Sequence, residues 1–480
     1  MSLFIRKPLA QILAQAADNE KGLKRTLGAM NLVALGIGAI IGAGLFVRTA
    51  DAAAKAAGPA VTLSFIVAAI GCALAGLCYA EFASSIPISG SAYAYAYVTM
   101  GELVAWIIGW ALIMEYALGA ATVSIAWSEY LNKLLGGAIP YEWCHSPFEH
   151  DVSGIGGIMN APALVILLLL TLLLIRGTQE SASVNAVIVF LKVSIVLVFI
   201  AVGWGYIREA NHIPYMIPEG TPGHEGFFKH GYGGILGGAA IVFFAFIGFD
   251  AVSTTAQEAK NPGRDMPIGI LGSLAVCTVL YILFAHVLTG VANYTEFAKA
   301  GKEASVAYAI ETYMTGYHWL ATLVTVAILA GFSSVILVML MGQSRVFFSM
   351  SSDGLIPPVF GEVHPKYRTP YKSNWIVFAF VGAFAAFIPG SLAGDLTSFG
   401  TLLAFVLVSI GVLFLRKTDP DLKRPFRTPA VNIVAPLGAL ICIGMIVALD
   451  IFTLGAAFSW MALGLVVYFL YGKKNSKLRQ

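Results

Sequence analysis

Three places in this chain carry residues able to do chemistry: a glycine cluster, a second irregular stretch near residue 245, and a lone lysine. Gly36, Gly38, Gly42 and Gly44 fall within nine residues of the apolar stretch Gly36-Ile37-Gly38-Ala39-Ile40-Ile41-Gly42-Ala43-Gly44-Leu45-Phe46. Glycine at that density breaks a helix. Unwound backbone at membrane depth is tolerated only where it is buried in protein or lines a cavity. The half helix that follows a break presents orphan N–H groups and a positive dipole end. The amides around Gly42, Ala43 and Gly44, with Ile40 and Ile41 beside them, therefore suit a carboxylate. In Phe243-Phe244-Ala245-Phe246-Ile247-Gly248-Phe249-Asp250 a half helix ends near Phe246. Its free carbonyls at Phe244, Ala245 and Ile247 suit an ammonium group. Amides on one wall and carbonyls on the other fit a zwitterion, and an α-amino acid is the obvious one. The plainer alternative is that Gly38 and Gly42, a G-x-x-x-G pair, only let helices pack closely. The second break weighs against it.

Lys192 lies in the otherwise apolar run Val184–Val202, eight residues from one end, or roughly 12 Å along a helix. Intramembrane lysines are rare, face the interior and mark ion or proton paths. Desolvation makes such a lysine able to gain and lose a proton. The alternative is a structural lysine permanently bonded to helix-end carbonyls.

Other polar groups admit more than one role. Glu115, mid-span in Trp106–Ser124, either pairs with a buried cation, senses a substrate side chain or bonds between helices. Asp250 either closes a gate or caps the second half helix. Ser333 and Ser334 interrupt an apolar helix, and hydroxyls there tend to bond back to their own helix. Phe244 and Phe246 stand where an aromatic lid would. Cys72, Cys78, Cys277 and Cys442 lie in apolar runs and read as packing residues. Cys144, His145, Glu149, His150 and Asp151 form a solvated loop in preference to a metal site. No H-E-x-x-H, G-x-S-x-G or P-loop is present, so neither an enzyme, a cofactor nor a metal is expected.

These residues need a membrane fold to position them. The chain of 480 residues is 58% hydrophobic and 11% charged, against about 25% charged in soluble domains. Twelve apolar runs recur, the shortest at 160–175 and most long enough to span. Arg48, Lys55, Lys133, Arg208, Lys229, Lys299 and Lys302 fall on one side of such a topology, and the other 21 Lys and Arg outside the spans fall on the opposite side. The positive-inside rule then places both termini in the cytoplasm. The net charge of +3 reports this topology and gives no sign of nucleic-acid binding. Five spans separate the two breaks, so the second unit enters the membrane inverted, the mark of an inverted repeat with its site between the broken helices. The expected organisation is a polar segment 1–26, a first repeat 27–208, an outer loop 209–231, a second repeat 232–416, and two further helices with a tail over 417–480.

The chain resembles the amino acid–polyamine–organocation transporters, most of all their cationic amino acid transporter branch. The resemblance rests on Gly38–Phe46, on Tyr79-Ala80-Glu81-Phe82 with Pro87 and Ser89-Gly90-Ser91-Ala92-Tyr93, and on Gly101-Glu102, Gly109-Trp110 and Glu115-Tyr116. It extends to Phe246–Asp250 and to Glu258-Ala259-Lys260-Asn261-Pro262 with Arg264-Asp265-Met266-Pro267. It implies an all-α membrane protein of LeuT-like, five-plus-five inverted-repeat fold with two extra helices, working by alternating access. It implies that the first break binds a substrate carboxylate and the sixth-helix carbonyls its amine. It further implies that Lys192 stands where some bacterial members use a lysine in place of sodium, facing the Gly38 carbonyl and Ser333 or Ser334. Eukaryotic members with fourteen spans depart from the twelve expected here, so the branch name does not fix a cationic substrate. The expectation is proton-coupled uptake of L-amino acids at a plasma membrane, small neutral ones such as alanine, with cationic ones left open. The alternatives are arginine or lysine exchange with Glu115 as the distal acid, or a slow-transporting sensor. Expected partners are the amino acid, protons, membrane lipids and, with no feature to identify it, a small accessory protein.

Overall fold

The computed structural model describes residues 3–9, 27–87, 91–150, 153–176, 182–298, 305–367 and 369–479. Lys21, Lys24, Arg25, Lys299, Lys302 and Arg368 of the charge count, Asp151 of the loop cluster, and Ser89 and Gly90 lie outside these residues. Among the described residues every regular element is helical. Among the described residues eight helices are long and apolar enough to cross a membrane, and Ala29–Ile40, Ala161–Arg176, Tyr371–Phe387 and Val431–Val447 are shorter apolar helices.

The expected first span is two pieces. Helix α1, Ala29–Ile40, stops because Ile41 turns extended, with φ −73° and ψ 104°. Helical structure resumes as a wide turn over Gly44–Arg48 and runs through Thr49–Ala52 and Ala53–Ala57 to Gly58-Pro59. Helix α2 follows over Val61–Ser85 and α3 over Ser91–Thr99. Helix α4, Glu102–Ile113, continues through a wide turn at Met114–Leu118 into α5, Gly119–Leu134. Helices α6 and α7 occupy Ala161–Arg176 and Ala182–Gly203.

The second break follows. Helix α8, Gly231–Val242, tightens into a 3₁₀ turn at Phe243–Phe246, and Ile247 is extended at ψ 135°. Gly248 sits at φ +117°, a conformation that favours glycine. A half α-helix was expected after it. The segment Asp250–Glu258 is 3₁₀ instead. Its hydroxyls explain the tightening: Thr254 and Thr255 donate to the carbonyls three residues back, Ala251 at 2.7 Å and Val252 at 2.8 Å, which competes with α-helical pairing. Asn261-Pro262 then opens α9, Pro262–Val291, with proline in the first turn where no N–H is needed. Helices α10 to α15 are Ser305–Tyr313, His318–Ser352, Tyr371–Phe387, Gly390–Thr418, Val431–Val447 and Ile451–Val467.

The helices after the two breaks, α2 and α9, pack along each other, α9 also packs along α1, and α8 packs on α2. Helix α11 packs against α5, α6 and α7. Where the two broken spans approach the chain ends, Leu27 and Ala259 form a single bridge, with Leu27 N donating to Glu258 and Lys260 N to Leu27. The breaks are thus held beside each other at the centre of the core.

Candidate functional site

The two breaks touch. A Cβ placed on Gly44 would lie 2.2 Å from Ala245 Cα, and one on Gly248 would lie 2.8 Å from the Ala39 carbonyl oxygen. Each break therefore needs glycine for close backbone approach. Gly42 differs, since its nearest neighbour is the Val335 side chain at 3.2 Å. The structure brings Ile40, Ile41, Gly42, Ala43 and Gly44 beside Phe244, Ala245, Phe246 and Ile247. The helix that resumes at Gly44 starts against Ala245 at the end of α8. Phe246 is fully buried, with its ring 6.1 Å from Phe65 and 5.4 Å from Tyr281.

Lys192 reaches the first break. It is buried, and its Nζ donates to the Gly38 carbonyl at 2.8 Å. That carbonyl belongs to the end of α1, where the helix dipole is negative and a cation is favoured. Gly331 on α11 makes room: its Cβ would lie 2.8 Å from Lys192 Cε. The Ser333 hydroxyl donates to Leu329 of its own helix at 2.9 Å. The Ser334 hydroxyl is buried with no hydrogen-bond partner among the described residues.

Glu115 and Asp250 meet on the other side of the breaks. Glu115 is fully buried in the wide turn between α4 and α5, a distortion frequent at functional sites. Its polar neighbours are Asp250 and Thr401. Asp250 does not cap the half helix: no side-chain cap bond forms there, and its Oδ2 accepts from Tyr116 Oη at 3.0 Å. Two carboxyl groups thus share one buried place beyond the break. An aromatic layer of Tyr79, Phe249 and Phe405 adjoins them, with Tyr79 ring contacts at 5.9 and 5.4 Å. Ser253 and Ser91 touch at 3.3 Å in the same region.

The opposite face is open. A cavity of about 330 Å³ runs from the surface to Ala43 of the first break, past Arg48, Asp51, Thr122 and Glu129. Arg48 is buried; it donates to Asp51 at 2.6 Å and pairs with Asp395 of α13. By sequence Arg48 counts only as a charge on one side of the membrane. Its position one turn past a half-helix start was the signal available. The α4–α5 helix fixes which face is which. Glu102 at its start accepts from Tyr97, Tyr468 and Arg479, and its N–H donates to Ile5, so both chain ends gather there. The cavity lies toward the other end, at Glu129. In the loop cluster His145 stacks on Tyr141 at 3.7 Å and Ser146 donates to Glu149, an arrangement of side chains bonded to one another. Among the described residues no group of His, Cys, Asp and Glu has the makings of a metal site.

A family profile described as amino acid permease matches residues 27–472. The chain belongs to the amino acid permease family. It is 44% identical over 482 aligned residues to the branched-chain amino acid permease BcaP of Bacillus subtilis, covering 100% of this chain and 99% of that one. It is 43% identical to the methylthioribose transporter of the same species, covering 100% of each. It is 35% identical to the human cationic amino acid transporter 4, over 84% of this chain and 61% of that protein. The permease is therefore a multi-pass membrane transporter and not an enzyme.

Proposed function

We propose that the permease is a secondary active transporter that takes up neutral L-amino acids with protons by alternating access. The observation that carries this reading is the contact of two helix breaks with a buried lysine bonded to one of them. The substrate carboxylate sits on the amides around Gly42, Ala43 and Gly44. Its ammonium sits on carbonyls of the Phe244–Ile247 turn. The side chain meets Val335 and Phe246, which are apolar. Glu115 and Asp250 are both fully buried beyond the break, so neither offers an accessible carboxylate to a cationic side chain, and this favours a neutral substrate. The name of the 44% identical relative points to branched-chain amino acids, so valine and isoleucine join alanine as candidates.

Protonated Lys192 holds the end of α1 through Gly38. Loss of its proton removes the charge that favours that helix end and lets α1 move. Ser333 and Ser334 flank the path, with the Ser334 hydroxyl free to take a proton partner. Asp250 and Glu115 close the face of the chain ends and Arg48 with Asp395 the cavity face. The fold is the twelve-span, five-plus-five repeat with two added helices, in a plasma membrane, with both chain ends cytoplasmic and the cavity outside.

Counterflow in proteoliposomes tests this, with lumenal alanine, valine, isoleucine, arginine, lysine or methylthioribose. Stimulation by the neutral amino acids, with accumulation when the outside is acidified, supports the reading. Stimulation by arginine and lysine alone and no response to pH would replace it with exchange of cationic amino acids. Stimulation by methylthioribose alone would remove the zwitterion site.

A further inference from the structure

Broken helices leave carbonyls that need donors, and several of them find one here. Ile37 accepts from Ile41 N at 2.9 Å, Gly38 from Lys192, and Phe244 from Ile247 N at 3.3 Å. One pair, Ile40 on the first break and Ala245 on the second, is met by a single group. Tyr281 of α9 places its hydroxyl 3.0 Å from the Ile40 carbonyl oxygen and 2.9 Å from that of Ala245. The hydroxyl has one hydrogen for two acceptors. Its position, at hydrogen-bonding distance from one carbonyl of each break, is one that the nitrogen of an ammonium group would occupy. The side chain is fully buried, and its ring packs 5.4 Å from both Phe65 and Phe246.

We propose that Tyr281 is a positioning residue that stands in for the substrate ammonium when the site is empty. The proposal rests on the zwitterion site described above. An alternating-access carrier that accumulates substrate has to return empty. With no ligand, the two breaks close on each other only if their carbonyls find a donor in an apolar surrounding, since an unmet buried acceptor costs more than a made bond returns. Tyr281 supplies that donor. An arriving ammonium brings three hydrogens, takes over both carbonyls and displaces the hydroxyl. Loaded closure then no longer depends on Tyr281, whereas empty closure does. The residue separates two steps that share one carrier: exchange, in which both crossings are loaded, and net uptake, in which one crossing is empty.

The test is Tyr281→Phe, which keeps the ring contacts and removes the donor. Purified wild type and variant are compared in proteoliposomes for [³H]alanine/alanine exchange and for net proton-driven uptake of [³H]alanine. The ratio of net uptake to exchange is expected to fall about tenfold or more, the weight of one buried hydrogen bond left unmade. Tyr281→His, which retains a ring N–H donor, is expected to recover part of that ratio. Exchange and net uptake that fall together, or a ratio within twofold of wild type, would overturn the proposal. If the phenylalanine variant does not reach the membrane, Tyr281→Leu serves in the same two assays. A failure of the underlying site shows separately: the Gly44→Ala variant, with Tyr281 intact, then exchanges alanine as well as wild type.

Discussion

Gly44→Ala and Gly42→Ala add the same methyl group two residues apart in one motif, and the structure separates them sharply. At Gly44 the new Cβ falls 2.2 Å from Ala245 Cα and 2.7 Å from its N and Cβ. These atoms belong to the opposing break and cannot rotate away, so the two breaks must part by more than an ångström. Overpacking of this kind costs about 1–3 kcal/mol, and the high end applies where backbone is struck. If closure around substrate carries that cost, affinity falls by about 30- to 150-fold. At Gly42 the Cβ meets Val335 Cγ2 at 3.2 Å. A side-chain methyl yields by a few tenths of an ångström, for a cost under about 1 kcal/mol and a change of at most about fivefold. Half-saturating alanine in counterflow, measured for both variants in proteoliposomes, decides the matter. Equal effects, or a Gly44→Ala affinity within threefold of wild type, would mean that the two breaks do not close on the substrate.

Lys192→Ala is expected to abolish accumulation driven by an imposed pH gradient while leaving measurable counterflow; normal accumulation would reduce Lys192 to a structural role. Replacing the substrate carboxylate by a carboxamide removes the charge from bonds of about 1.5–3 kcal/mol, so alaninamide should compete at least about tenfold more weakly than alanine. Competition within threefold would contradict binding by the amides at Gly44. Arg48→Ala leaves Asp395 without its cation while Asp51 keeps Lys55 at 2.7 Å, a loss below the about 3–5 kcal/mol of a fully buried pair. It should lower the thermal midpoint of the detergent-purified protein, and Arg48→Ala with Asp395→Ala together should recover part of the loss; no recovery would mean that the pair is not coupled. Cys144 lies in a loop, and burial pushes its thiol above the usual range. It should stay protonated at pH 7.4 and react with a maleimide only after denaturation, a contrast read directly by mass shift.

The breaks and Lys192 were legible in the sequence because they violate its own background. Four glycines and one lysine in apolar runs have few physical explanations, and the membrane narrows them further. The pairing of Lys192 with Gly38 followed from the resemblance and is seen in the geometry. Other features depend on contacts between distant segments. Tyr281 is one tyrosine of 19, and only the meeting of Ile40 with Ala245 makes its hydroxyl special. Gly331 matters because Lys192 lies across it. Arg48 looked like an ordinary flank until α13 brought Asp395 to it. The 3₁₀ form of Asp250–Glu258 was hidden for another reason. Its Ser-Thr-Thr run suits a polar half helix by composition, and the back-bonding that tightens it is a choice between two nearly equal local geometries.

The polar groups divide by the side of the breaks on which they lie, and that division bears on how one site serves two faces. Arg48 with Asp51 and Asp395 stands on the cavity side, paired in charge and reached by water through the space at Ala43. Asp250 with Glu115 stands on the side of the chain ends, alike in charge and sealed. A buried pair of opposite charges is costly to separate, whereas two carboxyl groups in one dry place are held together only while a proton or a donor such as Tyr116 reconciles them. On the transport reading proposed above, the cavity side would open and re-form its contact without exchange of protons. On that same reading, parting the other side would strip Asp250 of its Tyr116 donor, so the two faces would open at different cost.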